Sequence, residues 1–217
     1  MKIKVCGMRN SENISSLLTL KPDFVGFIFY DKSKRFVKDF PQVQFPSTTK
    51  KVGVFVNETI EEVLRIVEKY QLDFVQLHGN ETSEYCENLC HLERSRKVVS
   101  GSHSLGIIKA FSVDKNFNFN DTKPFETICN YFLFDTKGKD YGGNGVKFNW
   151  GILQNYKGET PYFLSGGIGL DDKDELLSFL GRQESKHCYA VDVNSGFEIE
   201  PGLKNIEKLK EFKNNLL

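Results

Sequence analysis

Residues 51–79 read KVGVFVNETIEEVLRIVEKYQLDFVQLHG, and they hold one complete strand–helix–strand unit. Val52–Val56 is a short apolar run with no polar alternation, the pattern of a strand covered on both faces. Thr59 followed by Glu62 has the spacing of a capping box. Ile60, Val63, Leu64 and Val67 fall at i, i+3, i+4 and i+7, which predicts a helix over Thr59–Tyr70. Phe74–Leu77 is the next apolar run, and it ends on His78-Gly79. Two covered strands joined by an amphipathic helix form a parallel crossover.

The same alternation runs along the whole chain. The apolar runs are Ile3–Val5, Phe24–Phe29, Val52–Val56, Phe74–Leu77, Ile107–Phe111, Tyr131–Phe134, Tyr162–Leu164 and Ala190–Val193. Strand ends at Cys6, Phe29, Val56, His78, Phe111, Asp135, Ser165 and Val193 leave room for one helix and two loops between each pair. A helix is expected from near Asp171 or Asp172, carrying Leu176, Leu177 and Leu180 and stopping at Gly181, a good C′ residue. The last helix is expected from about Leu203, with Ile206, Leu209 and Phe212 on one face. Between Asp39 and Pro46 a helix is expected to be short and interrupted by proline. Between Ser112 and Asn130 it is expected to be weak, because Asn116, Asn118, Asn120 and Pro124 oppose a regular helix. Arg94–Gly106 reads as a long loop. Eight such units predict one (β/α)8 TIM barrel over residues 1–217, an α/β fold; a doubly wound sheet is the alternative. In a barrel, chemistry gathers on the loops that follow the strands.

Composition narrows the function. The 217 residues carry 29 Lys plus Arg and 29 Asp plus Glu, a formal net charge of zero. A balanced chain lacks the basic footprint of duplex binding, so no nucleic-acid partner is expected. The 39% of hydrophobic residues suffices for a core without a disulfide or metal staple. No apolar run approaches the ~20 residues of a membrane helix, and Met1–Gly7 has no signal-peptide pattern. A cytoplasmic protein without a membrane partner is therefore expected. The 5 cysteines (Cys6, Cys86, Cys90, Cys129 and Cys188) are odd in number and scattered, which predicts thiols.

The residues at the strand ends are chemically loaded. Cys6-Gly7 ends strand one, and Tyr30-Asp31-Lys32-Ser33-Lys34-Arg35 follows strand two. Gln76-Leu77-His78-Gly79 ends strand four, and Asp135, then Tyr141-Gly142-Gly143-Asn144-Gly145, follows strand six. Strand seven runs into Ser165-Gly166-Gly167-Ile168-Gly169. Strand eight carries Asp192 and runs into Asn194-Ser195-Gly196. Glycine clusters at the ends of strands seven and eight are where barrels bind phosphate, on outward amides and a helix N-terminus. The Asp171 region is expected to cap the helix beyond, leaving free amides before it. Taken singly, each cluster is equally a set of turns that need glycine.

Several of these motifs together resemble the phosphoribosylanthranilate isomerase family. They are Lys4-Val5-Cys6-Gly7-Met8-Arg9, Val25–Phe29 with Lys32–Arg35, Val52–Asn57, Val75–Gly79, Phe134-Asp135-Thr136 with Tyr141–Gly145 and Phe148-Asn149-Trp150, Leu164–Gly167, and Val191–Glu198 with Pro201-Gly202. They occur in order over nearly the whole chain, with Arg94–Phe125 the least family-like part. The resemblance implies a (β/α)8 enzyme of tryptophan biosynthesis. Its reaction is an Amadori rearrangement of N-(5'-phosphoribosyl)anthranilate to 1-(2-carboxyphenylamino)-1-deoxy-D-ribulose 5-phosphate, with no cofactor and no metal. It implies Cys6 as general base and Asp135 as general acid. Arg35 is implied on the anthranilate carboxylate and Asp192 near the substrate; His78, at the mouth of strand four, is a further candidate for substrate contact. The phosphate is implied at Gly166, Gly167, Ser195 and Gly196. The partner is then a small phosphorylated substrate, and the chain a monomer or homodimer.

Met8-Arg9 departs from the family's frequent Ile-Thr, Asn194 from a frequent Ser, and Asn144 from Ser or Thr; none removes a titrating group. Each site residue also has a plainer reading. Cys6 is a small buried apolar side chain, Asp135 a loop cap, Arg35 one charge of a solvated run, His78 a packing residue, and Asp192 a structural hydrogen-bond partner. Cys86, Cys90 and His91 lie on the helix after strand four, away from the strand ends, which disfavours zinc. Trp150 is expected to pack after the sixth loop. The rival functions are another phosphosugar-binding barrel enzyme, such as a pentose-phosphate epimerase or indole-glycerol-phosphate synthase, a non-catalytic barrel binding module, and a cysteine hydrolase.

Overall fold

Each of the apolar runs forms a strand in the computed structural model, which describes residues 1–100, 104–137 and 147–216. The strands are β1 (Lys2–Val5), β2 (Phe24–Ile28), β3 (Lys50–Phe55), β4 (Phe74–Leu77), β5 (Gly106–Val113), β6 (Tyr131–Thr136), β7 (Tyr162–Leu164) and β8 (Cys188–Val193). They pair in parallel and in chain order, and β1 closes on β8 with Lys4 opposite Asp192. Closure excludes the doubly wound sheet.

Side-chain alternation splits the core in two. Phe24, Val52, Ile108, Leu133, Phe163 and Ala190 fill the barrel, while residues such as Ile3, Val25, Val75, Phe132 and Val191 face the outer layer. The filling is aromatic at the strand starts. Phe24 meets Phe163 at 5.1 Å and Phe74 at 5.7 Å, and Tyr131 stacks on Tyr189 at 4.7 Å. This plug closes the barrel's N-terminal end and leaves its polar layer at the C-terminal mouth.

The outer layer is α1 (Ser11–Leu18), α2 (Ile60–Tyr70), α3 (Ser83–Ser100), α4 (Lys173–Leu180) and α5 (Ile206–Leu216). In α2 the expected stripe packs inward, with Val63 and Leu64 buried and Ile60 and Val67 against the core. Its capping box is half made. Thr59 accepts from the Glu62 amide, while the Glu62 carboxylate turns to Arg65 and the Thr59 amide donates to Glu58.

The other departures have local causes. No helix forms over Asp39–Pro46, where Pro41 and Pro46 remove donors. Phe40 and Phe45 cover the strands instead, with Phe40 on Tyr70 at 4.3 Å and Phe45 on Phe27 at 5.9 Å. The weak fifth helix is a 3₁₀ segment, Phe119–Phe125. The long loop expected over Arg94–Gly106 is helical to Ser100, because its Arg and Lys residues are good helix formers and no Gly or Pro precedes Gly101. After β7, a 3₁₀ turn at Leu170–Asp172 precedes α4, in which Phe179 is buried and Leu177 exposed. Gly181 ends α4 as expected, as its C-cap and in right-handed geometry. Leu203 does not start a helix. Leu203–Lys204 forms β10, paired antiparallel with β9 (Glu198–Glu200). Trp150 packs on Phe179 at 5.7 Å, as expected.

Candidate active site

Cys6, Arg35, His78, Asp135, Gly166, Gly167, Asp192, Ser195 and Gly196 all line one cleft at the C-terminal mouth of the barrel. The cleft is also lined by Tyr30, Ser33, Gln76, Ser165 and Asn194. The loop Tyr141–Gly145, with Asn144, lies outside the described residues.

Cys6 follows β1 directly, and its amide donates to Val193 O at 2.9 Å, which ties it to β8. Gly26 on β2 stands against it; a Cβ there would lie 2.7 Å from the Cys6 sulfur. Lys4, two residues earlier, points to the same interior side and is fully buried. Its ammonium donates to Asp192 Oδ1 at 2.8 Å, and its charge acts on the Cys6 thiol. Burial pushes the Cys6 thiol up, Asp192 adds to this, and the ammonium groups of Lys4 and Lys204 oppose it. Burial pulls Lys4 down, but Asp192 and Cys6 outweigh it and hold its pKa above the ordinary lysine value. Burial raises Asp192, with the Asp135 carboxylate adding to it and Lys4 opposing. Asp192 thus has the structural partners of a packing residue, including Ser165 Oγ at 3.4 Å, and still lines the cleft.

Asp135, the penultimate residue of β6, is buried and accepts from the Thr136 amide at 2.9 Å. His78 Nε2 lies 3.3 Å from Asp135 Oδ2, and His78 Nδ1 lies 2.8 Å from Gln76 Nε2. The two ring nitrogens of His78 thus face Gln76 on one side and Asp135 on the other. His78 is therefore joined to the carboxylate and is not a lone packing residue.

Arg35 is not solvated. Its Nε donates to Glu198 Oε1 at 2.8 Å and its Nη2 to Oε2 at 2.6 Å, a parallel fork. Glu198 also accepts from Lys204 Nζ at 2.6 Å and from the Gly202 amide at 3.0 Å. Burial pushes the Glu198 carboxyl up, but the bonds from Arg35 and Lys204 outweigh it and hold it down at about 2.

The loops after β7 and β8 press together. A Cβ on Gly196 would strike the Ile168 carbonyl, and it would stand 3.0 Å from the Gly169 Cα. Gly166 and Gly167 take φ values of 98° and 66°, which side chains rarely adopt. Both glycines line the cleft, before the 3₁₀ turn and α4. One amide expected to be free is used: Gly169 N donates to Asp172 Oδ2 at 2.7 Å.

The sequence assigns no site role to Lys4, Glu198 or Lys204. The first two lie inside the quoted motifs, so their position is visible there. Lys204 carries no local signal, since a lysine beside a helix start normally faces water.

A closed barrel with a thiol, two carboxylates and an imidazole at its mouth, beside glycine loops at strands seven and eight, defines a phosphosugar acid/base enzyme of the TIM-barrel class. The family profile described as N-(5'phosphoribosyl)anthranilate (PRA) isomerase matches residues 3–215. An N-(5'-phosphoribosyl)anthranilate isomerase of Parabacteroides distasonis is 44% identical over 222 residues, covering 100% of this chain and 94% of the relative. The solved phosphoribosyl anthranilate isomerase of Thermotoga maritima is 29% identical, with TM-score 0.75 and coverage of 99% and 98%. A second solved structure, a phosphoribosyl anthranilate isomerase in complex with reduced 1-(o-carboxyphenylamino)-1-deoxyribulose 5-phosphate, is 28% identical, with TM-score 0.71 and coverage of 99% and 97%. The T. maritima enzyme is also described as dimeric. The chain belongs to the N-(5'-phosphoribosyl)anthranilate isomerase family. It is an isomerase of tryptophan biosynthesis that performs the Amadori rearrangement of its aminoaldose substrate to the aminoketose.

Proposed function

We propose that Cys6 is the general base and Asp135 the general acid of this reaction. The observation that carries the assignment is their common cleft, which they enter from β1 and β6. Protonated Asp135 gives its proton to the furanose ring oxygen. The C1–O bond breaks, and the nitrogen lone pair forms the C1–N double bond of the Schiff base. The Cys6 thiolate then takes the proton from C2, and the C2–H electrons become the C1–C2 double bond of the enolamine. Protonation at C1 and loss of the C2 hydroxyl proton give the ketone. Neither step changes the overall oxidation level.

The remaining residues bind and orient. Arg35 presents its guanidinium to the anthranilate carboxylate, and the Gly166, Gly167, Ser195 and Gly196 backbone takes the phosphate. His78, bonded to Asp135, and Asp192, bonded to Lys4, contact the sugar hydroxyls. Residues 1–217 act as one catalytic barrel domain, as a monomer or homodimer in the cytoplasm, with no nucleic-acid or membrane partner. Two facts support the last reading: the net charge is zero, and no described helix is long and apolar enough to cross a membrane.

The acid is tested by Asp135→Asn. Loss of anthranilate-type fluorescence, with substrate made in situ, is expected to slow by about 10²-fold or more, while the reduced product analogue still binds. Near-normal turnover overturns the role of Asp135.

A further inference from the structure

The acid/base pair needs a charged thiol in a place where burial opposes it. The titratable or charged groups that act on Cys6 or belong to its cleft are Lys4 on β1, Asp192 on β8, Asp135 on β6, His78 on β4, Arg35 after β2, and, on the β9–β10 hairpin, Lys204 with its partner Glu198. They do not balance pair by pair. Lys4 and Asp192 cancel across 2.8 Å. On the other wall, Arg35 and Lys204 share the single carboxylate of Glu198, at 2.6 Å each. With both cations protonated, that wall carries two positive charges against one carboxylate, although burial pulls the Lys204 ammonium below the ordinary lysine value and Glu198 only partly restores it.

Lys204 is built to stay there. It is 1% exposed. Asn13 of α1 grips its backbone from both sides, its Oδ1 accepting from Lys204 N at 2.8 Å and its Nδ2 donating to Lys204 O at 2.9 Å. The ammonium donates to Asn194 Oδ1 at 2.8 Å. That oxygen abuts Gly7, where an added Cβ would lie 2.7 Å from it, so it is one residue from Cys6. A buried lysine with such supports is costly to retain unless its charge is used.

We propose that Lys204 is a positioning residue for Cys6, its buried ammonium holding the base in the charged form from the hairpin side of the cleft. The proposal rests on the reading of Cys6 as base. Lys4 performs the same service from below, but with its charge already met by Asp192. The effect of the Lys204 charge on the thiol has the required sign, against burial. The hairpin is thereby joined to the chemistry although it contributes no group to the reacting atoms.

The test reads the thiolate without turnover. Alkylation of Cys6 by iodoacetamide is followed against pH by mass spectrometry of the Cys6 peptide, in wild type, Lys204→Met, Lys204→Gln and Lys204→Arg, with folding checked by circular dichroism. The Met and Gln variants are expected to move the inflection upward by about one pH unit or more, and the Arg variant to stay near wild type. At neutral pH, kcat should fall roughly tenfold for each pH unit the inflection moves and recover as pH rises, while KM changes little. If Lys204→Met does not fold, Lys204→Gln, which keeps amide donors without charge, decides. An unchanged inflection in the folded variants overturns the proposal. Normal turnover of Cys6→Ala would overturn the base assignment instead, so the two failures are distinguishable.

Discussion

Arg35 and Glu198, 163 residues apart in the chain, are joined by two parallel hydrogen bonds of 2.8 and 2.6 Å. The arginine proposed to meet the anthranilate carboxylate is thus held in place beforehand, by a carboxylate that also holds Lys204. The fork costs little rotamer entropy when substrate arrives, because it is ordered beforehand.

Glu198→Gln should destabilise the fold and loosen Arg35 together. Removing one partner of a buried ion pair costs about 3–5 kcal/mol, and the half-buried setting of this pair places the expectation at the low end. KM should rise more than kcat falls, as steady-state kinetics and urea unfolding will show.

The same carboxylate sets a pH window. Its pKa is held at about 2 in the folded chain, below the roughly 4.3 of an unfolded glutamate. Its contribution is full above the unfolded value and is lost as pH falls toward the folded one. The stability gap between wild type and Glu198→Gln should therefore be constant from pH 7 to about 5 and shrink toward pH 2. A gap that widens on acidification contradicts this linkage.

Arg35→Lys keeps the charge and loses the fork. Charge-assisted hydrogen bonds are worth about 1.5–3 kcal/mol, so KM is expected to rise roughly tenfold to a hundredfold. An unchanged KM would show that the carboxylate is held elsewhere.

Gly196→Ala places a methyl against the Ile168 carbonyl and the Gly169 backbone. The loops after β7 and β8, proposed to take the phosphate, must part to admit it. Competitive inhibition by inorganic phosphate should weaken, and KM rise, with thermal stability only modestly reduced.

Lys109→Met tests the support beneath the mouth of β4. The buried ammonium donates to Gly79 O at 2.8 Å, Ala110 O at 3.0 Å, Leu77 O at 3.1 Å and Glu81 Oε2 at 3.2 Å. Glu81 in turn accepts from the amides of Asn57 and Gly79. Removing the lysine leaves the buried Glu81 carboxylate its two amide donors but no counter-charge, at about 3 kcal/mol, the low end for a broken buried pair, measurable by denaturant titration.

The barrel was legible because each strand is a short apolar run covered on both sides, and covering leaves a mark on every residue. The mouth was legible because Cys6, His78, Asp135 and Asp192 are polar residues at or near the ends of such runs. The helices were less so. Phe40 and Phe45 replace a helix by aromatic packing that has no period, and α3 continues past Arg94 through charged residues that look like a loop. Arg35, Lys204 and Glu198 were the least legible as a group. Their meaning lies in one another, across more than half the chain between Arg35 and the hairpin, and each alone reads as a solvated charge.

The most direct test of the account is single-turnover loss of anthranilate-type fluorescence in wild type and Cys6→Ala side by side, with circular dichroism confirming both folds. The account predicts prompt decay with wild type and none on that timescale with Cys6→Ala, which should still bind the reduced product analogue. Decay at a comparable rate in both would contradict it, and would move the base to another group in the cleft.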